Sequence, residues 1–151
     1  MIELLYIFII SMFPFVELRG SIPLGIYWGI NPLLVFIVAI LGNMLPVPFI
    51  LLFLEGVEKL LRRSEKISHV LDRIFERTYK KANKKVRRWE YAALIFFVAI
   101  PLPGTGAWTG SLIAYLFKFE IRKSFLTIFI GVTIAGIIVL SLSVGILSFT
   151  P

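Results

Sequence analysis

Four stretches of this chain carry no charged residue: 4–16, 20–54, 91–117 and 124–151. Between the second and third, residues 55–90 mix charged and apolar positions instead. A helix needs about 20 apolar residues to cross the hydrocarbon of a bilayer. Residues 32–54 and 122–149 meet that length and are each predicted to be a full transmembrane helix. Residues 4–13 and 91–100 do not, because each supplies only about 15 Å of helix before a proline, Pro14 or Pro101, ends it. The residues after each proline are again mostly apolar. Each segment is therefore predicted to descend, turn and return as a re-entrant helical hairpin, 2–30 in the first case and 91–117 in the second. Lipid tolerates such a turn only where protein or a wet cavity satisfies its backbone groups.

The halves resemble one another at an offset of 87 to 89 positions, which brings Pro14 onto Pro101, Tyr27 onto Tyr115 and Gly42 onto Gly131. Hairpin then span follows in each, the architecture of an internal repeat. In 55–90, Val57, Leu60, Leu61, Ile67, Leu71, Ile74 and Phe75 recur near i, i+3, i+4, i+7. That spacing predicts an amphipathic basic helix resting its apolar side on the membrane surface. The expected fold is an all-α integral membrane domain over 1–151, with a first repeat 1–54, the basic helix 55–90 and a second repeat 91–151.

Composition supports this class. Hydrophobic residues make up 58% of the chain, against about 45–50% for soluble domains, and the mean hydropathy is +0.91. Cysteine is absent and His69 is the only histidine, which excludes disulfides and thiolate or histidine metal clusters. No cofactor is expected. Met1, Ile2 and Glu3 bring neither a basic n-region nor a cleavage site, so the first hydrophobic segment is expected to be retained.

The net charge of +7 reads differently once located, because 12 of the 16 basic residues lie between Lys59 and Arg88. A basic segment joining apolar ones is a topology determinant and a contact for anionic lipid, not a nucleic-acid site. With 55–90 cytoplasmic, every basic residue except Arg19 falls on the inner side and the two halves take opposite orientations, an inverted repeat. The expected location is the inner or plasma membrane, crossed more than once.

Glu17 and Arg19 interrupt the first hairpin. Ionisable residues at such depth cost roughly 2.5–3.5 kcal/mol each and mark functional sites, the alternative being a purely structural pair that ties the first hairpin together. Glu17 is the candidate proton or cation acceptor, and the planar fork of Arg19 suits an anionic, phosphate-bearing headgroup. The second turn, PLPGTGAWTG at 101–110, has no titratable group. A return helix starting near Gly106 would aim free N–H groups at mid-depth, as would one starting around Ser21 or Ile22. Ser21, Asn43, Gly104, Thr105, Gly106, Trp108 and Thr109 are therefore candidate substrate-lining residues beside Arg19. For Asn43 the ordinary alternative is an interhelical hydrogen bond, for the glycines close helix packing, and for Trp108 space filling. No nucleophile and base pair, HExxH or phosphate-loop motif points to an enzyme.

The motifs FPFVELRGSIPLGI and PLPGTGAWTGSLIA, joined by a basic segment, resemble the small multidrug export protein family, a relative of the DedA superfamily. That resemblance implies two facing re-entrant hairpins that move lipid phosphates such as undecaprenyl phosphate, with Glu17 and Arg19 as the required acidic and basic residues. The chain is shorter than a typical DedA protein, and its second hairpin has Gly104, Thr105 and Gly106 where an arginine is usual. The expected function is a small membrane transporter that flips an anionic lipid or small anion, coupled to protons or Na+ through a buried carboxylate. Proton-coupled export of cationic drugs or metal ions is the alternative, and a non-transport membrane-shaping role is a third. Two hairpins and two spans offer little surface to seal a pathway, so a homodimer is expected.

Overall fold

A computed structural model describes residues 2–61, 87–102 and 104–148. Seven helices account for most of them: α1 (Ile2–Met12), α2 (Glu17–Tyr27), α3 (Pro32–Met44), α4 (Pro46–Leu61), α5 (Arg87–Ala99), α6 (Ala107–Leu116) and α7 (Ile121–Ser148). The helix expected over 55–90 lies outside the described residues between 62 and 86.

Both short apolar segments break at their prolines and fold back. In the first, Ser11 and Ser21 meet at 2.5 Å between hydroxyl oxygens, and Ile7 reaches Gly25, so α1 and α2 run antiparallel. In the second, Val98 packs against Gly110, and the Tyr91 and Phe119 rings meet at a tilt, their centroids 4.7 Å apart. Hence α5 and α6 are antiparallel too. The two long stretches form helices of membrane-crossing length: Pro32–Leu54, with mean hydropathy 2.4, and Ile121–Ile146, with mean hydropathy 2.6. Leu45 keeps a helical backbone between α3 and α4, so Pro46 interrupts the hydrogen-bond ladder without ending the span.

The helix ends follow local chemistry. Asn31 caps α3 by accepting from the Leu33 N–H at 2.9 Å, with Pro32 at the first helical position, where its missing N–H costs nothing. The last turns of α2 and α6 close alike. Trp28, Gly29 and Ile30 donate to Leu24, Ile26 and Gly25, and Phe117, Lys118 and Phe119 donate to Ile113, Tyr115 and Ala114. A left-handed residue closes each, Gly29 (φ 72°) and Lys118 (φ 50°), as in a Schellman-type cap.

One element departs from expectation. The sequence places the start of the first return helix around Ser21 or Ile22, but α2 begins at Glu17, because carbonyls of the 13–16 turn already accept there, Phe13 from the Glu17 N–H and Val16 from the Gly20 N–H. Glu17 and Arg19 therefore stand on the first turn of a helix and not in a loop.

Helix α7 is the central strut, packed against α2, α3, α5 and α6. Its partner-facing side holds Ile128, Val132 and Ala135, while Leu126, Phe129, Ile130 and Ile137 are exposed. Leu33, Leu34, Ile37 and Leu41 likewise leave α3 with an uncovered apolar face. An outer surface as apolar as the core belongs in lipid.

Gly42 and Gly131 let the long helices approach the short ones. A Cβ on Gly42 would meet the Phe8 carbonyl oxygen and, at 3.0 Å, Ser11 Cβ; one on Gly131 would meet the Ile95 carbonyl oxygen at 3.1 Å and Val98 Cβ at 2.7 Å. These are corresponding positions of the two halves, so both use the same close crossing, of the kind that replaces hydrophobic driving force between helices in membranes. Gly42→Ala and Gly131→Ala are each expected to lower stability by about 1–3 kcal/mol, read from SDS-driven unfolding in mixed micelles. Gly145→Ala, at a position with nothing within 4 Å, serves as the control; loss at Gly42 no greater than there contradicts this packing.

Candidate functional site

The two turns meet at a polar cluster. Glu17, 4% exposed, sends its carboxylate across to the start of α6, where the backbone N–H groups of Ala107 and Trp108 donate to it. Gly106 makes the approach possible, since a Cβ there would collide with the carboxylate, 2.7 Å from Glu17 Cδ. It also sits at φ 145°, a conformation open chiefly to glycine. Glu17 itself holds a left-handed backbone, φ 50°, a strained state for a side-chain-bearing residue that persists only when its surroundings over-determine it.

Arg19, one helical step on, crosses the same junction. Its Nη2 donates to the Thr105 carbonyl oxygen and to Thr105 Oγ1 at 2.9 Å, and lies 3.7 Å from Glu17 Oε2. Thr105 is fixed in its turn, its hydroxyl 2.6 Å from the Ile100 carbonyl and 2.8 Å from that of Leu102. Trp108 returns the crossing, its indole N–H donating to the Met12 carbonyl at 3.0 Å. The first turn of α2 thus holds the turn before α6, and the first turn of α6 holds the end of α1.

The expected site residues divide accordingly. Glu17, Arg19, Thr105, Gly106 and Trp108 come together directly. Gly104 shapes the same turn at φ 84°. Ser21 sits one turn deeper and pairs with Ser11, whose hydroxyl also donates to the Ile7 carbonyl at 2.7 Å. Thr109 is half-buried, and no side-chain hydrogen bond ties it to the cluster among the described residues. The N–H groups expected to be free at the start of α6 are not free: Glu17 occupies them.

Asn43 also differs from the ordinary expectation of an interhelical hydrogen bond. It is wholly buried, yet neither Oδ1 nor Nδ2 has a partner among the described residues, and the same holds for Arg19 Nε. Its depth follows from register. Gly25 of α2 meets Val35 of α3, and the short 28–31 connection makes these helices antiparallel. Eight residues along each lead to Glu17 and to Asn43, so the two are level. Asn43 continues the stripe of Phe36 and Ile40, which meets Gly136 of α7. It therefore faces the junction of α2, α3 and α7.

Sequence reasoning missed Ser11 and the Met12 carbonyl. A lone serine in an apolar helix ordinarily bonds back to its own i−4 carbonyl, which Ser11 does, so nothing local singled it out.

Beside the cluster, an apolar groove of about 620 Å³ runs between Pro46, Phe49, Ile50, Leu52, Phe53 and Gly56 of α4 and Trp108 of α6. Trp108 joins the two, with its ring on the groove and its amide on Glu17. A separate apolar cavity of about 260 Å³ lies between α5 and α6, among Leu94, Phe97, Ile113 and Phe117. No cluster of His, Cys, Asp or Glu able to hold a metal ion occurs among the described residues.

The sequence profile of a family described as "Putative small multi-drug export protein" matches residues 17–138. The chain belongs to this family. The match begins at Glu17, after the first turn, and takes in the second turn, the first long helix, most of the second, and every residue of the cluster except the Met12 carbonyl. No curated protein and no solved structure matches. Family and uncovered apolar helices together identify a small membrane export protein.

Gly106→Ala is expected to expel the Glu17 carboxylate and to cost about 1–3 kcal/mol from its backbone conformation alone. Thermal unfolding in detergent measures the cost. Thr105→Val, which removes the Oγ1 contact but keeps the carbonyl, should cost less; equal effects would mean that the Gly106 contact is unimportant.

Proposed function

We propose that this small export protein moves an anionic amphiphile across the membrane, with its headgroup handled at Glu17, Arg19 and the start of α6, and a proton carried on Glu17. The observation that carries this reading is the adjacency of a buried acid and base cluster to an apolar groove lined by α4 and Trp108. A headgroup needs the first and a hydrocarbon chain the second. Arg19 supplies a fixed planar cation, and a proton on Glu17 would cancel the charge that otherwise repels an anion from the site.

In this proposal the two broken segments are re-entrant hairpins entering from opposite faces, and the halves form an inverted repeat of a multi-pass protein in the plasma membrane with 55–90 cytoplasmic. The matched crossings at Gly42 and Gly131 and the matched caps of α2 and α6 support it. The exposed Glu120–Lys123 pair, 2.6 Å apart, suits the aqueous boundary before α7. Alternating exposure then needs only one hairpin to rock against the other about the shared cluster. The relation to the DedA superfamily belongs to the same proposal.

The family's description favours a second reading, export of cationic drugs, in which Glu17 binds the cation and exchanges it for protons. The two differ at Arg19, because a fixed cation serves an anionic headgroup and opposes a cationic one.

Purified protein in liposomes, given labelled polyprenyl phosphate with and without a pH gradient, tests the proposal. Headgroup movement is expected in the unmodified protein, with loss of at least tenfold in Glu17→Gln and in Arg19→Ala. No movement in the unmodified protein removes the leading reading, and cation export that survives Arg19→Ala establishes the second.

A further inference from the structure

The start of α6 has no cap of its own. Gly106 at the cap position has no side chain to offer, and the Thr105 hydroxyl is engaged within its turn. Helices ordinarily satisfy their first amides with a local Ser, Thr, Asp or Asn. Here the amides of Ala107 and Trp108 receive a carboxylate from the other half of the chain, delivered by a residue in a left-handed backbone conformation. Two side chains on α2 and α3 keep polar atoms without partners among the described residues. Arg19 Nε is buried without a partner, and Asn43, wholly buried at the same level, has both polar atoms unpaired.

A carboxylate on two backbone amides beside a guanidinium satisfies the same groups that an oxyanion ligand would. From this geometry, and resting on the transport reading above, we infer that Glu17 is a built-in competitor for the protein's own anion site. The ligand is an oxyanion with at least two free oxygens, such as a phosphate monoester, and it binds by displacing the Glu17 carboxylate from the start of α6. Arg19 and Asn43 then supply donors that the shorter carboxylate does not use. Displacement also removes one of the three contacts joining the two halves at their turns and leaves Arg19 on Thr105 and Trp108 on Met12, so binding loosens the halves in the same event. With the site filled by Glu17 the protein stays closed, and with a ligand in place it is free to move. Any ligand must therefore bind more weakly to the unmodified chain than to one in which position 17 has no charge.

The test uses the full chain in nanodiscs of zwitterionic lipid, with empty nanodiscs as the blank and dodecyl phosphate and inorganic phosphate as probes. Dissociation constants are measured for the unmodified protein, Glu17→Gln and Arg19→Gln. Glu17→Gln is expected to bind dodecyl phosphate at least tenfold more tightly than the unmodified chain, and Arg19→Gln at least tenfold more weakly. Because the chain has no cysteine, spin labels at Phe15→Cys and Leu102→Cys, both exposed positions in the two turns, give a second readout that does not need Glu17 to be altered. Saturating dodecyl phosphate is expected to lengthen their separation to the value that Glu17→Gln shows without ligand. Equal dissociation constants for Glu17→Gln and the unmodified protein, or a separation that ligand leaves unmoved, overturns the competitor and leaves the transport reading standing. Absence of saturable binding in every variant overturns both. Comparable affinity for inorganic phosphate assigns the site to free oxyanions, and binding of dodecyl phosphate alone assigns it to the headgroup of an amphiphile; either is displacement of Glu17.

Discussion

One carboxylate and two amide groups set the polar centre of this protein. Glu17 belongs to the first half and the amides of Ala107 and Trp108 to the second, so neither half can satisfy its own broken helix alone. Breaking a helix leaves N–H and C=O groups without partners, and lipid offers none. A chain that breaks two helices must bring the breaks together. Arg19 on the Thr105 carbonyl and Trp108 on the Met12 carbonyl do the same work from either side. The absence of a side chain at Gly106 lets the carboxylate reach.

The apolar framework serves this centre. Gly42 and Gly131 bring each long helix against its short neighbour at backbone distance, and α7 gathers the rest around Ile128, Val132 and Ala135. Close packing of small residues matters more here than in a soluble core, because moving an apolar side chain from lipid into protein gains little. Polar groups that stay unpaired in such an interior are costly. Asn43 is therefore best understood together with the cluster at its level and not as part of the framework.

Much of the architecture was legible from local pattern. The lengths of the uncharged stretches and the positions of Pro14 and Pro101 predict two broken and two long helices, and the offset that pairs Gly42 with Gly131 recurs as one shared contact. Glu17 and Arg19 stood out because they are charged within apolar sequence. Their partners did not. Which turn of the second half meets Glu17 depends on the register of two hairpins separated by some ninety residues, and periodicity within one helix carries no information about it. For that reason the start of α6 looked like a vacant anion site and is a filled one. The start of α2 falls earlier than Ser21 because the hydrogen bonds that begin the helix are accepted by carbonyls of the 13–16 turn before it. Ser11 was passed over because its neighbour Ser21 lies across the hairpin.

The proposed arrangement has the two turns and their acid and base meeting deep in the bilayer, where bulk water does not reach. Trp108 lies at that junction, and Trp28 and Trp89 are the only other tryptophans. In a chain carrying Trp28→Phe and Trp89→Phe, fluorescence from Trp108 in bilayers of lipids brominated at graded depths reads the position directly. The account predicts strongest quenching by bromines near the ends of the acyl chains and little by aqueous iodide; strongest quenching by iodide or by bromines next to the headgroup would contradict it.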